Sequence, residues 1–309
     1  MTNKILIIQL RPGLGDLCMF LPRCHEIAQA NKNCEIVLLT KQNTKANQVL
    51  KYDPFIKRIE YIDENKIKKS LIYLYKFFKN NRFFKVYSYQ YGPKYLKYIF
   101  FSKITGVKEI FYYGIFKRKE DMMKKAIMSN EKWLNIRINK RIGKLYLPFE
   151  DKYNEETVVI GIGASGNNKR WPTKNFIELI QRLNKNKFKK FLLAGGKGES
   201  QISQEIISNS NNVNIVNLED FDVPKIMQLI NRSSIYVGND TGFMHISACL
   251  GLKTFCLYGD TPSNDSIYNE NIIPILPHGK KSVYHDDLLM DKILIQDVFN
   301  KIMINYKIL

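Results

Sequence analysis

Residues 5–16, Ile5-Leu6-Ile7-Ile8-Gln9-Leu10-Arg11-Pro12-Gly13-Leu14-Gly15-Asp16, decide the fold class. Ile5–Leu10 is a nearly continuous apolar run closed by turn residues, the pattern of a strand buried on both faces of a parallel sheet. From Asp16 to Ala30 the period changes, and Leu17, Phe20, Leu21, Cys24, Ile27 and Ala28 fall at helical spacing. A buried strand, a turn with two glycines and a helix make the opening of a βαβ unit.

Outward from that segment the alternation continues. Strands are expected at Glu35–Leu39, Ile59–Ile62, Phe84–Tyr89 and Glu109–Tyr113, with helices near Thr44–Tyr52, Lys66–Lys79 and Lys119–Asn135. Leu147–Glu156 is polar, contains Pro148 and reads as a linker. A second series follows, with strands at Val158–Ile162, Phe191–Leu193, Val213–Val216, Ser234–Val237 and Thr254–Tyr258. Its helices are expected at Thr173–Leu183, Gln201–Ser208, Val223–Asn231 and Thr241–Leu250, with a closing helix near Gln296–Tyr306. The reading is an α/β chain of two doubly wound parallel-sheet domains, residues 1–150 and 151–309, each binding ligand at the carboxyl ends of its strands. The 309 residues suffice for two such domains.

The charge is unevenly placed. Lys and Arg number 48 against 29 Asp and Glu, a net charge of +19. Between Lys66 and Arg141 there are 20 cations and 4 acids, so that quarter carries +16, together with 18 of the 38 aromatic residues. Such a stretch implies an anionic partner: lipid head groups, a phosphorylated glycan or nucleic acid. The alternative is the Lys-, Asn- and Ile-rich composition of an AT-rich genome, which explains many lysines better than their clustering. The five cysteines are odd in number and lack C-x-x-C spacing, which fits a reducing, cytoplasmic compartment. No His or Cys pattern suggests a metal, no segment reads as a signal peptide, and no apolar run approaches the ~20 residues of a membrane span.

Three strand ends carry candidate chemistry. In Arg11-Pro12-Gly13-Leu14-Gly15-Asp16 the glycines let the backbone approach a ligand, and Asp16 sits at a helix start, where it either caps the helix or serves as a carboxylate base. Gly161-Ile162-Gly163-Ala164-Ser165-Gly166 matches the dinucleotide pattern G-x-G-x-x-G, but the next helix is expected only near Thr173, too late to hold a pyrophosphate. The residues after it, Lys169 and Arg170, could neutralise a diphosphate or form a solvated pair. Gly238-Asn239-Asp240-Thr241-Gly242-Phe243-Met244-His245 ends a strand in a short turn and brings free backbone N–H groups, the Thr241 hydroxyl and a helix dipole to one point, which suits a phosphate. Gly195–Glu199 and Gly259–Thr261 end neighbouring strands, and Glu199 could accept hydrogen bonds from a ribose or base.

Taken in order, the opening strand with Gly13, Gly15, Asp16 and Leu21-Pro22, then Lys169–Pro172, Gly195–Glu199, Asp240–Gly242 with His245, and Gly259 with Thr261 resemble glycosyltransferase family 9, the ADP-heptose:lipopolysaccharide heptosyltransferases. The resemblance runs over nearly the whole chain. It implies a GT-B fold, two Rossmann-like domains facing a central cleft, with a closing helix that returns towards the first. It implies inverting, metal-independent transfer of a heptose from a nucleoside-diphosphate sugar, ADP-heptose, to a lipopolysaccharide-type acceptor, with no cofactor. Carried over by position, Asp16 resembles the base, and Arg11, Gly13 and Gly15 form the acceptor-side loop. Lys169 and Arg170 resemble the donor-phosphate cations, Thr241 and Gly242 the diphosphate-binding helix start, Asp240 and His245 the donor-side pair, and Glu199 a nucleoside contact. Two departures stand out: Asp260 where the family usually has proline, and Val86–Gln90, which lacks the acid common there.

With that resemblance the basic stretch reads as a cytoplasmic-face surface for an anionic glycolipid or membrane rather than for nucleic acid, its aromatics at the interface. Two other readings remain: a nucleotide-sugar epimerase or hydrolase on the same fold, needing no large acceptor, and a non-catalytic nucleic-acid binder.

Overall fold

The computed structural model describes residues 2–114, 121–139, 143–148 and 156–306. The chain divides into two compact units, Met1–Tyr146 and Leu147–Leu309. Most of the expected linker Leu147–Glu156, namely residues 149–155, lies outside the described residues, as do residues 115–120 and 140–142 of the basic stretch.

The first unit is a parallel sheet of β1 (Asn3–Ile8), β2 (Cys34–Thr40), β3 (Ile56–Tyr61), β4 (Lys85–Ser88) and β5 (Glu109–Tyr112) in the order β3-β2-β1-β4-β5. Ile5–Ile8 are wholly buried because β1 is central and its sheet is covered by helices. The helix Leu14–Ala30 follows, starting two residues before Asp16. The order reverses at β1, whose neighbours are β2 and β4, so the carboxyl ends of β1 and β4 flank a topological switch point.

The second unit repeats the plan with six parallel strands: β6 (Thr157–Gly161), β7 (Lys190–Ala194), β8 (Asn214–Asn217), β9 (Ile235–Asn239), β10 (Lys253–Leu257) and β11 (Ile272–Ile275). Their order is β11-β10-β9-β6-β7-β8, with the switch between β6 and β9. Its core joins the helix Thr173–Lys185, through Phe176, Leu179, Ile180 and Leu183, to Trp171 and to Val298 and Ile302 of the closing helix Ile295–Tyr306. That closing helix packs on Thr173–Lys185 and β11, so it belongs to the second unit.

Several elements differ from the sequence reading. Only a short helix, Ala46–Val49, forms where Thr44–Tyr52 was expected. The Lys66–Lys79 helix is two helices, Glu64–Lys69 and Leu71–Asn81, divided at Ser70, whose hydroxyl accepts from the Ile72 N–H and starts the second. Helix Leu96–Ile104 and strand β11 were not anticipated.

Part of the aromatic content of the basic stretch is internal, whereas Phe100 and Tyr112 are exposed. Phe78, Phe83, Tyr87, Tyr89, Tyr98 and Phe101 are buried. Trp133 lies 5.7–6.0 Å from the rings of Tyr87, Tyr89, Phe111 and Tyr113. Rings this large fill the space between a narrow sheet and its helices. No helix of the described residues is long and apolar enough to cross a membrane.

Candidate functional site

The turn after β1 depends on Gly13, whose φ of +97° lies where a side chain is strained. Gly13 is the N-cap of the helix Leu14–Ala30, and no side chain caps it. Gly15 and Asp16 therefore occupy the second and third helical positions. Asp16 is not the cap, which removes one of the two roles open to it in the sequence. Its Oδ1 accepts from Arg11 Nε at 2.6 Å, and its side chain is one-fifth exposed, so the carboxylate is held at the mouth of the turn. The helix start also favours its negative charge.

Deeper in the same unit, Arg23 is fully buried and paired with Glu26. Asn130 donates to the Arg23 carbonyl (2.9 Å) and to Glu26 (2.9 Å), and the Tyr89 hydroxyl donates to Asn130 Oδ1 (2.6 Å). This network ties the helix that carries Asp16 to the helix Met122–Leu134 and to the residue that follows β4. Sequence reading missed it because partners 41–107 residues apart leave no local pattern.

In the second unit the loops after β6, β7 and β9 converge. A Cβ placed on Gly163 would stand 3.7 Å from Thr241 Cγ2 and 3.8 Å from Glu199 Oε2, so this glycine lies between the other two loops. Asn239, buried at the end of β9, ties its own strand end to the β6 loop and to Trp171. Its amide donates to the carbonyls of Ile162 (3.1 Å) and Gly163 (3.0 Å), and its Oδ1 accepts from the Trp171 N–H (3.0 Å). Trp171 in turn donates from its ring to Ile293 O (3.0 Å). Asn239 stands within the motif Gly238–His245, but its own role is not legible there, since an asparagine at a strand end reads as a turn residue.

Thr241 is the N-cap of the helix Gly242–Cys249 and makes no side-chain cap, so the first-turn N–H groups of that helix have no side-chain acceptor from the cap position. Beneath it, burial pushes the Tyr236 phenol well above its ordinary range. It stays a neutral hydroxyl, donating to the Asn239 carbonyl (2.9 Å) and lying 3.4 Å from Thr241 Oγ1. Asp240 accepts from the Thr261 hydroxyl (3.2 Å), and its other oxygen is 3.8 Å from His245 Nε2, so three residues singled out in the sequence form one cluster.

Arg170 is committed. It pairs with Glu199 Oε1 at 3.0 Å and with Asn167, while Glu199 Oε2 accepts from the Gly196 N–H at 2.9 Å. Glu199 thus clamps the β7 loop to the Arg170 loop, and each oxygen already holds one bond. Lys169, half-buried on the same loop, has no ion pair among the described residues. Behind the G-x-G-x-x-G segment comes a three-residue 3-10 turn, Asn167–Lys169, and no α-helix until Thr173. Asp260, the departure from proline, accepts from the Leu288 N–H (2.9 Å) and anchors the segment after β11. Among the described residues no group of three or more His, Cys, Asp or Glu could hold a metal ion.

The family model for glycosyltransferase family 9 (heptosyltransferase) matches residues 121–281, just over half of the chain. A lipopolysaccharide heptosyltransferase 1 of Campylobacter coli is 26% identical over 134 residues, covering 41% of this chain and 39% of that protein. A lipooligosaccharide heptosyltransferase 2 of Campylobacter jejuni is 28% identical over 172 residues, covering 51% and 53%. The matched part thus spans about half the length of these curated relatives or less. Among solved structures, the ADP-heptose lps heptosyltransferase II of E. coli superposes with a TM-score of 0.77 at 18% identity, covering 98% of each chain, a likeness of fold.

Proposed function

The chain belongs to glycosyltransferase family 9 and has the GT-B type of fold, and on that premise we propose that it transfers a heptose from ADP-heptose to an anionic surface glycan or glycolipid. The observation that carries the reading is the helix start at Thr241–Gly242, uncapped and supported by Tyr236 and Asn239, with the loops of Gly163 and Glu199 beside it. It offers backbone N–H groups and a helix dipole to a diphosphate.

The residues divide the work. In the first unit Asp16 takes the proton of the acceptor hydroxyl, whose oxygen forms the new bond to the anomeric carbon. The bond from that carbon to the diphosphate breaks with inversion, and the nucleoside diphosphate leaves with the electron pair. In the second unit the Thr241–Gly242 helix start and Lys169 stabilise that departing charge, so the proposed step needs no metal. Arg170 and Glu199 act by holding their loops, and Asp240 with His245 and Thr261 fixes the helix start from the other side.

For the acceptor side the support is charge. The neighbouring helices Leu71–Asn81 and Leu96–Ile104 expose Leu71, Ile72, Phe100 and Ile104 as well as Lys76, Lys79 and Lys103. Apolar tips with lysines fit peripheral contact with an anionic membrane on its cytoplasmic side.

A thermal-shift screen of nucleotide sugars tests the donor, because stabilisation follows the ratio of ligand concentration to Kd. ADP-heptose should raise the melting temperature more than UDP- or GDP-sugars at equal concentration. A larger shift with a UDP-sugar would overturn the assignment. Conversion of the nucleotide sugar by the enzyme alone, with no acceptor present, would point instead to an epimerase or hydrolase.

A further inference from the structure

Tyr236 of β9 is fully buried at the switch point of the second sheet, below the turn into the helix Gly242–Cys249. Its phenol carries one proton, and that proton goes to the Asn239 carbonyl at 2.9 Å. The 3.4 Å contact with Thr241 Oγ1 then runs the other way, from the Thr241 hydroxyl to the phenol oxygen. The ionisation of Tyr236 agrees. Burial raises it, while the hydrogen bond with Thr241 lowers it, as a donor to the phenol oxygen does.

A threonine at an N-cap ordinarily turns its hydroxyl oxygen onto the second or third N–H of its own helix. Thr241 does not. Its methyl lies 3.7 Å from where a Cβ on Gly163 would stand, and its hydroxyl faces Tyr236, so the side chain is engaged from two sides. Among the described residues no acceptor meets the N–H groups of Gly242, Phe243 and Met244, although Met244 is fully buried. Such first-turn donors are normally satisfied by a cap, by water or by a ligand.

We propose that Tyr236 is a positioning residue for the nucleoside diphosphate: it draws the Thr241 hydroxyl off the helix, so that Thr241 does not cap its own first turn and the N–H groups stay open to the phosphates. The role rests on the reading that this helix start binds the diphosphate. At 3.4 Å the bond to Tyr236 is a weak one, and the Thr241 hydroxyl passes readily to a phosphate oxygen when the ligand arrives. The phenol, neutral and buried, meanwhile keeps the Asn239 carbonyl. Without the phenol oxygen, the Thr241 hydroxyl turns onto the helix and competes with the ligand for the same donors.

The parent, Tyr236→Phe, Thr241→Val and the double variant test this, each measured for ADP binding by calorimetry and for thermal unfolding without ligand. Tyr236→Phe should weaken ADP binding about fivefold, the equilibrium equivalent of one helix cap. Valine cannot cap, so adding Thr241→Val to Tyr236→Phe should recover affinity. A packing defect at Tyr236 would instead weaken ADP binding whatever stands at position 241. Without ligand, Thr241→Val should lower the melting temperature in the Tyr236→Phe background, where it removes a cap, and barely move it in the parent. This arm needs no ligand, so it fails separately from the diphosphate reading. An equal effect of Thr241→Val on the melting temperature in both backgrounds, or no recovery of ADP affinity in the double variant, would overturn the proposal. Absence of ADP binding by the parent would overturn the diphosphate reading and this role with it.

Discussion

Gly161 of β6 and Gly238 of β9 lie opposite one another at the switch point of the second sheet, with no room between them for a side chain. A Cβ on Gly238 would come to 2.5 Å from the Cα and N of Gly161, and one on Gly161 would collide with the Tyr236 hydroxyl. The pair lets the Tyr236 ring pass beneath the loops and reach Asn239 and Thr241. Gly238→Ala should therefore destabilise the protein by about 1–3 kcal/mol, the usual cost of overpacking. Gly166→Ala, where a Cβ meets nothing within 4 Å, is the control and should leave urea unfolding unchanged.

Asn239 gives a second outcome. Asn239→Ala removes three hydrogen bonds and orphans the buried Trp171 N–H. With each orphaned buried group costing about 1–3 kcal/mol, we expect a loss of about 2 kcal/mol or more in chemical unfolding. ADP should also bind more weakly, because the Gly163 loop loses its anchor. Unchanged ADP affinity would separate this staple from the nucleotide site.

The buried tyrosines set an alkaline limit. Burial pushes Tyr87 up to about 12 and raises Tyr89, Tyr98, Tyr113 and Tyr236 as well. Their neutral forms are favoured in the folded chain, whereas unfolded tyrosines release protons from about pH 10. Stability is fully present below that pH and falls as pH rises towards about 12. Urea midpoints should decline across this window. A flat midpoint would show that these phenols are not held in the neutral form.

The helices Leu71–Asn81 and Leu96–Ile104 predict binding to vesicles. Co-sedimentation should be stronger with phosphatidylserine than with neutral lipid and should weaken with salt. Ile72→Glu with Phe100→Glu should reduce it while leaving the melting temperature near that of the parent, since both side chains are exposed. Equal binding to neutral and anionic vesicles would exclude the lysines as its cause.

The strand–turn–helix opening and the Thr241 helix start were legible because they rest on local period and on glycine placement. Strand β11 was not, because Pro274 interrupts it. The proline is tolerated since β11 is the edge strand, paired with β10 alone. Helix Leu96–Ile104 was hidden by Tyr98, Ile99, Phe100 and Phe101 in succession, which leave no polar face to mark the period. The Arg11–Asp16 pair has i,i+5 spacing, which a continuous helix does not bring together, and it exists only because Gly13 turns the chain at positive φ. The stapling role of Asn239, a residue of the Gly238–His245 motif, was not legible because its partners are 68–77 residues away.

The most direct test of the central claim is transfer from ADP-heptose to acceptor glycolipid prepared from cells lacking this chain, measured for the parent protein and for Asp16→Asn. The parent should release ADP and extend the glycolipid. Asp16→Asn should lose roughly 10²–10⁴-fold in kcat, the worth of a general base, while still binding ADP as the parent does. Parental turnover by Asp16→Asn, or no transfer by a parent protein that binds ADP-heptose, would contradict it.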